Sequence, residues 1–237
     1  MSGVPSGIKK SIMRALYENR LILTAQRDRP EGWKLISGVW SPFYIQLRLV
    51  SSYPPVLRMV GEAIAAMLKE EAPEVNRLVG IAFAGIPIAT AASIASGIPA
   101  CHTRKLVGVR SEQEMEQALR EYGQHALVEG ILEEGDVVCL VDDLVTGLDS
   151  KIAARKQVLA EAGKRGIRNI VCDDVAVLLD RQQGAQDAAR REGIRLHSVI
   201  KFLDEGLPLI RDLMSDAEYE SIMTYLTGSK AGQCPVG

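Results

Sequence analysis

The chain has 237 residues, with 28 Lys and Arg against 30 Asp and Glu, and a formal charge of −2. That length suits a single domain with a full core. The charge balance disfavours nucleic acid as a partner, and no apolar run approaches a membrane span, which disfavours a membrane too. Lys9 and Lys10 precede no apolar signal core. Cys101, Cys139, Cys172 and Cys234 lie far apart without C-x-x-C spacing, three of them in apolar, strand-like contexts. They read as buried reduced thiols, which fits a cytoplasmic location.

Taken in order, residues 7–19 place Ile8, Ile12, Ala15 and Leu16 on one face of a helix. Residues 26–32 are charged, contain Pro30 and read as a loop, and residues 42–48 have strand propensity. Pro54 and Pro55 open a helix running to about Lys69. From residue 77 the rhythm becomes regular. Strands are predicted over 78–83, 100–105, 136–141, 169–179 and 196–201. Helices are predicted over 85–96, 150–166 and 182–193, with one or two closing helices in 204–227. Such alternation predicts an α/β fold with a central parallel sheet covered by helices on both faces. No repeat or linker divides it, and the tail from about residue 229 reads as disordered.

Residues 106–124 break the rhythm. They are charged and flanked by Gly108 and Gly123, and Ser111 and Glu114 are spaced as a capping box. A long polar excursion from a sheet edge is either an active-site lid or a plain surface insertion.

The chemistry concentrates in V-V-C-L-V-D-D-L-V-T-G-L-D-S-K, residues 137–151. An apolar strand ends in two acids, and a Thr/Gly turn leads into a helix. In α/β proteins ligands sit beyond the carboxyl ends of strands, and the first helical amides suit a phosphate. Paired carboxylates suit ribose hydroxyls or a Mg²⁺ held near phosphate. The spacing alone leaves open a strand-end pair facing water. A second pair, Asp173 and Asp174, has no turn after it and reads as the solvated start of a strand. His102 and His197 sit in strand contexts and read as packing residues, and His125 as a surface or hinge residue.

The run V-D-D-L-V-T-G-L-D-S-K resembles the phosphoribosyl-pyrophosphate (PRPP) signature of type I phosphoribosyltransferases. Further stretches resemble orotate phosphoribosyltransferases in particular: S-G-V-W-S-P-F-Y-I-Q-L-R (37–48), G-I-A-F-A-G-I-P-I-A-T-A (80–91), T-R-K (103–105), E-Y-G-Q-H-A-L-V-E-G (121–130) and L-D-R-Q-Q-G (179–184). Six motifs occur in order over roughly residues 33 to 200.

The resemblance implies a type I phosphoribosyltransferase fold over residues 1–237, with a hood over about 1–50, a core over about 51–228 and a tail beyond. It implies that Asp142 and Asp143 hold the ribose hydroxyls, directly or through water and Mg²⁺. Thr146 and the amides of Gly147, Leu148, Asp149 and Ser150 would take the 5′-phosphate. Ala84 and Gly85, with Arg104, Lys105 and the lid residue Arg120, would meet pyrophosphate. Asp143 is counted with those three cations as catalytic. Arg181, Lys34, Phe43, Tyr44 and Thr146 would face orotate. The alternative for Arg181 is a salt bridge to Asp180 or Glu192. The lid would reach a partner subunit, which implies a homodimer.

Departures from the pattern sharpen these expectations. Leu148 stands where the family usually has Gly, and Asp149 where it has Gly, Thr or Ser. Gly permits close approach of the phosphate. At ~5 Å and an effective dielectric of about 20, each unit like-charge pair costs roughly 3 kcal/mol. Asp149 is therefore expected to point away, as a helix N-cap for example, or to weaken PRPP binding, with Lys151 offsetting some charge. Ile36 and Ala84 replace lysines of many members; Lys34 lies one same-face step from Ile36. The resulting expectation is a Mg²⁺-dependent enzyme making orotidine 5′-monophosphate and pyrophosphate from orotate and PRPP in pyrimidine synthesis. The alternatives are transfer to another base, or a regulatory PRPP- or nucleotide-binding protein of the same fold that has lost turnover.

Overall fold

The computed structural model describes residues 3–35, 38–106, 114 and 126–230. The expectations for Ile36, Ser111, Arg120, His125, Cys234, most of the lid and the last seven residues lie outside them. Helix α1 (Ser6–Glu18) leads into β1 (Ile22–Thr24), a short α2 (Ala25–Asp28), β2 (Trp33–Lys34), β3 (Trp40–Ser41) and β4 (Phe43–Ile45). Then α3 (Pro54–Glu71), β5 (Arg77–Gly80), α4 (Gly85–Ser96), β6 (Ala100–Thr103) and β7 (Val128–Glu129) follow. Next come β8 (Val137–Val145), α5 (Asp149–Lys164), β9 (Val171–Asp180), α6 (Ala185–Arg191) and β10 (Arg195–Lys201). A single turn, α7 (Leu207–Leu209), and α8 (Asp216–Lys230) close the described chain.

The central sheet has the order β10-β9-β8-β5-β6-β7, parallel except for the antiparallel β6–β7 pair. Both faces are buried, as parallel sheets require. Along β8, Val138 and Leu140 join one core with Ala154 and Val158 of α5, while Cys139 and Val141 join the other with Ile64 and Ile88 of α3 and α4. On β9, Val175 and Val177 face the first core, and Ala176 and Leu178 the second. This period-two alternation fixes the register.

The hood is two small antiparallel pairs, β1–β4 and β2–β3. Phe43 docks it, its ring lying 5.4 Å from Phe202 and 5.9 Å from Tyr225 of α8. Buried Glu218 of α8 accepts hydrogen bonds from the hydroxyls of Tyr17, at 2.8 Å, and Thr24.

Several sequence expectations change, among them the strand expected over 78–83, which stops at Gly80, and the helix expected over 182–193, which spans Ala185–Arg191. Residues 26–32 are not wholly loop, because Thr24 caps α2: its hydroxyl accepts from the Arg27 amide, while Asp28 accepts from the Thr24 amide. The strand expected over 42–48 stops at Ile45 and gives way to a 3₁₀ helix, Leu47–Ser52. The strand expected to end at Val141 runs on to Val145, so Asp142 and Asp143 lie within it, with Asp142 registered on Val177 and Val145 on Asp180.

Candidate active site

Chain direction across the sheet reverses at β5. The chain goes to β6 on one side, then returns to β8 on the other, so a cleft opens at the carboxyl ends of β5 and β8. Gly85 makes this junction close. A Cβ there would meet the Val141 carbonyl oxygen at 2.1 Å and the Asp142 Cα at 3.1 Å. The start of α4 therefore presses on β8 beside the acids, bringing Ala84 and the cis Ala82–Phe83 peptide with it. The Ala82 amide donates to the Thr103 hydroxyl at 3.1 Å, tying this loop to the end of β6.

Alternation along β8 sends Asp142 to the α5 side and Asp143 to the opposite side. Asp142 is buried: its Oδ1 accepts from the Asp143 amide at 2.9 Å, and its Oδ2 from Lys151 Nζ at 2.8 Å. Asp143 is half-buried, and its Oδ1 accepts from the Leu144 amide at 2.8 Å. Burial first, then the charge of Asp142, push the Asp143 carboxyl well above the usual range.

The turn after β8 has Thr146 half-buried and Gly147, Asp149 and Ser150 exposed. Leu148 needs no glycine-like backbone, with φ −105° and ψ −9°, and its side chain, 3% exposed, fills the core under α5. Leu148, not Asp149, is the N-cap residue, and no side chain caps α5. The proposed Asp149 cap is thereby corrected: Asp149 is the first helical residue, its carboxylate in solvent, where a helix N-terminus favours an acid.

At the end of β6, Arg104 Nη1 lies 3.4 Å from Glu129. Lys105 Nζ stands 5.5 Å from the ring centre of Phe83, so it reaches the 82–84 loop. Beyond β9, Arg181 is 9% exposed and stands 4.8 Å over the Phe43 ring. Its Nε and Nη2 are buried without a hydrogen-bond partner among the described residues. Neither salt bridge considered for it forms among the described residues: the Asp180 carboxylate accepts from the Gln182 amide at 2.7 Å, and the polar side chain beside Arg181 is Tyr225. Burial lowers the Arg181 pKa, opposed by Tyr225.

The orotate-facing expectations divide. Phe43 is corrected: its ring is 1% exposed and walled in by Phe202, Tyr225 and Arg181, so it supports the guanidinium from below. Tyr44 points the other way, stacking on Trp33 at 6.1 Å and accepting from Arg48 at 3.1 Å. Lys34 is exposed on the β2–β3 hairpin. The sequence reading missed the inward course of Lys151. The signal was there: Lys151, Ala154 and Val158 share one helical face, and that face is buried.

The order of elements, the switch-point cleft and the turn after β8 define a phosphoribosyltransferase of the type I class. The structure of Leishmania donovani UMP synthase has the same fold, with TM-score 0.74 and 24% identity over 94% of this chain and 43% of that one. No protein-family model matches the chain. Among curated proteins, orotate phosphoribosyltransferase from Saccharolobus solfataricus is 31% identical over 215 residues, 89% of this chain and 94% of that protein. The Methanothermobacter thermautotrophicus enzyme of the same name is 32% identical over 184 residues, 77% and 89%. The chain belongs to the orotate phosphoribosyltransferase family.

Proposed function

We propose that this chain transfers the phosphoribosyl group of PRPP to orotate, giving orotidine 5′-monophosphate and pyrophosphate for pyrimidine synthesis. The observation that carries the choice of base is Arg181. A buried guanidinium with two unpartnered donors suits a planar, anionic, carboxylate-bearing base far better than a neutral one. In the transfer, the bond from C1′ to the diphosphate oxygen breaks as the bond from base nitrogen to C1′ forms. Positive charge grows on the ribose and negative charge on the leaving group. Asp143 would face the ribose, the turn from Thr146 to Ser150 would hold the 5′-phosphate, and Lys105, with Arg104 and Arg120, would stabilise the leaving oxygens most as the bond breaks. The hood and lid would keep water from the electron-deficient sugar.

The donor set fits Mg²⁺ only as a substrate-borne ion. Both oxygens of Asp142 are engaged, and the described residues contain no cluster of three metal-ligating side chains. Mg²⁺ is commonly held by one or two carboxylates, waters and substrate phosphates, and Asp143 meets that need. Bound to the diphosphate, the ion would neutralise leaving-group charge. Three buried free thiols, Cys101, Cys139 and Cys172, suit a reducing cytoplasm. No helix among the described residues is long and apolar enough to cross a membrane. A homodimer, with each lid reaching its neighbour's cleft, completes the proposal.

The test is loss of orotate absorbance with PRPP and Mg²⁺, beside uracil, adenine and a chelator-treated sample, with sedimentation velocity on the same preparation. Orotate-only turnover that chelation abolishes, from a dimer, is expected. A fully active monomer removes the dimer. Binding of PRPP without turnover of any base favours the regulatory alternative.

A further inference from the structure

Phosphoribosyl binding treats Asp142 and Asp143 as a matched pair, but their surroundings differ. Lys151 Nζ donates to Asp142 Oδ2 at 2.8 Å, to the Leu144 carbonyl at 2.7 Å and to Ser150 Oγ at 3.3 Å. An ammonium has three hydrogens to donate, and all three are placed. The residue is 4% exposed, so it is closed to solvent. Its partners lie on both sides of the turn: Asp142 and Leu144 in β8 before it, Ser150 in the first turn of α5 after it.

We propose that Lys151 is a positioning residue for the sugar-phosphate subsite. It clasps the base of the phosphate turn and commits Asp142 to that clasp, leaving Asp143 as the carboxylate that takes the ribose hydroxyls of a phosphoribosyl substrate. The idea rests on the phosphoribosyltransferase reading and divides the labour within it.

A plain stabilising salt bridge is the rival explanation. Buried ion pairs are poor stabilisers, since desolvation offsets the attraction and apolar isosteres often do as well. This pair spans the two ends of a turn whose first helical residues carry no side-chain cap. Leu148, buried midway, anchors the same turn from below. Together they hold in place a turn that lacks the usual run of small residues. Asp143 has no ion pair among the described residues. One backbone amide occupies its Oδ1, and strand alternation turns it to the sheet face that also packs against the hood.

The test uses Lys151→Met and the double variant Asp142→Asn with Lys151→Met. The double variant guards against misfolding, because it leaves no buried charge unpaired. Steady-state kinetics are read for PRPP and orotate separately, and ribose 5-phosphate is titrated calorimetrically into each protein. In both variants KM for PRPP and Kd for ribose 5-phosphate should rise about tenfold or more, with kcat and KM for orotate within about threefold, the pattern of lost ground-state binding. Wild-type affinity for ribose 5-phosphate in the double variant overturns the proposal. So does a parallel rise in both KM values with a lowered thermal midpoint, which is a general structural defect. If the wild-type protein fails to consume orotate yet loses ribose 5-phosphate affinity on substitution, the choice of base falls and the role of Lys151 stands.

Discussion

Arg181 is where burial and chemistry disagree. Burying a guanidinium with two donors unmatched costs free energy, and burial depresses its pKa, yet the Phe43 face and Tyr225 hold it in place. A ligand that supplies two acceptors would resolve the conflict. Arg181→Met should therefore raise KM for orotate by about 100-fold, in keeping with a site built to hydrogen-bond a polar substrate group, while KM for PRPP changes little. The thermal midpoint should hold or rise, since the orphan donors leave with the side chain. A drop in stability with unchanged orotate KM would make Arg181 a structural residue. The D-R-x-x-G motif singles out Arg181 in the sequence, but its burial against Phe43 is seen only in the fold. Lys151 is not singled out, because lysines are almost always at the surface, and only its place on the Ala154–Val158 face betrays it.

At the scale of elements, α4 could be read from the sequence with both ends right, since Gly85 starts it and Gly97, with φ 78°, stops it. The last four residues of β8 could not. Asp142 and Asp143 have poor strand propensity, and pairing with β9 as far as Asp180 overrides it. That extension carries the acids past Gly85, whose missing side chain is what permits α4 to meet β8. In Gly85→Ala the new methyl would fall 2.1 Å from the Val141 carbonyl, against backbone that cannot turn aside. Overpacking of this kind costs about 1–3 kcal/mol. Urea unfolding should show that loss, and kcat/KM for PRPP should fall with it as the 82–84 loop is displaced from Asp142. Unaltered stability and kinetics would mean the junction is looser than drawn.

Across the whole molecule, the candidate site and a buried charged cluster occupy opposite ends of the sheet. The strands' carboxyl ends carry the cleft. Near the amino ends of β9 and β10 lies a charged cluster where the sequence predicts only the solvated start of a strand. Asp174 is 0% exposed. It accepts from His197 Nε2 at 2.8 Å and from Arg195 at 2.6 Å. His197 Nδ1 meets Glu71 of α3 at 2.9 Å, and Arg195 also pairs with Glu74. A lone sequence cannot show that Asp174 and Glu71, so far apart in the chain, converge on one imidazole. Burial alone would lower the His197 pKa, but hydrogen bonds and charge from Asp174 and Glu71 outweigh it, and the net shift is upward from 6.5. A raised folded-state pKa contributes stability that is complete below the unfolded value of 6.5 and is lost as pH climbs through the folded value. Arg195 keeps Asp174 paired when His197 is neutral, so only part of the cluster's contribution titrates. In His197→Gln, which has no such proton, unfolding free energy should fall short of wild type by roughly 1.5–3 kcal/mol near pH 5.5, the range for hydrogen bonds to charged groups. The gap should narrow towards about pH 9. Urea titrations of both proteins across that range read it directly. A gap that stays constant or widens with pH would show that His197 is held neutral, and that the link between α3 and the sheet is made by uncharged hydrogen bonds.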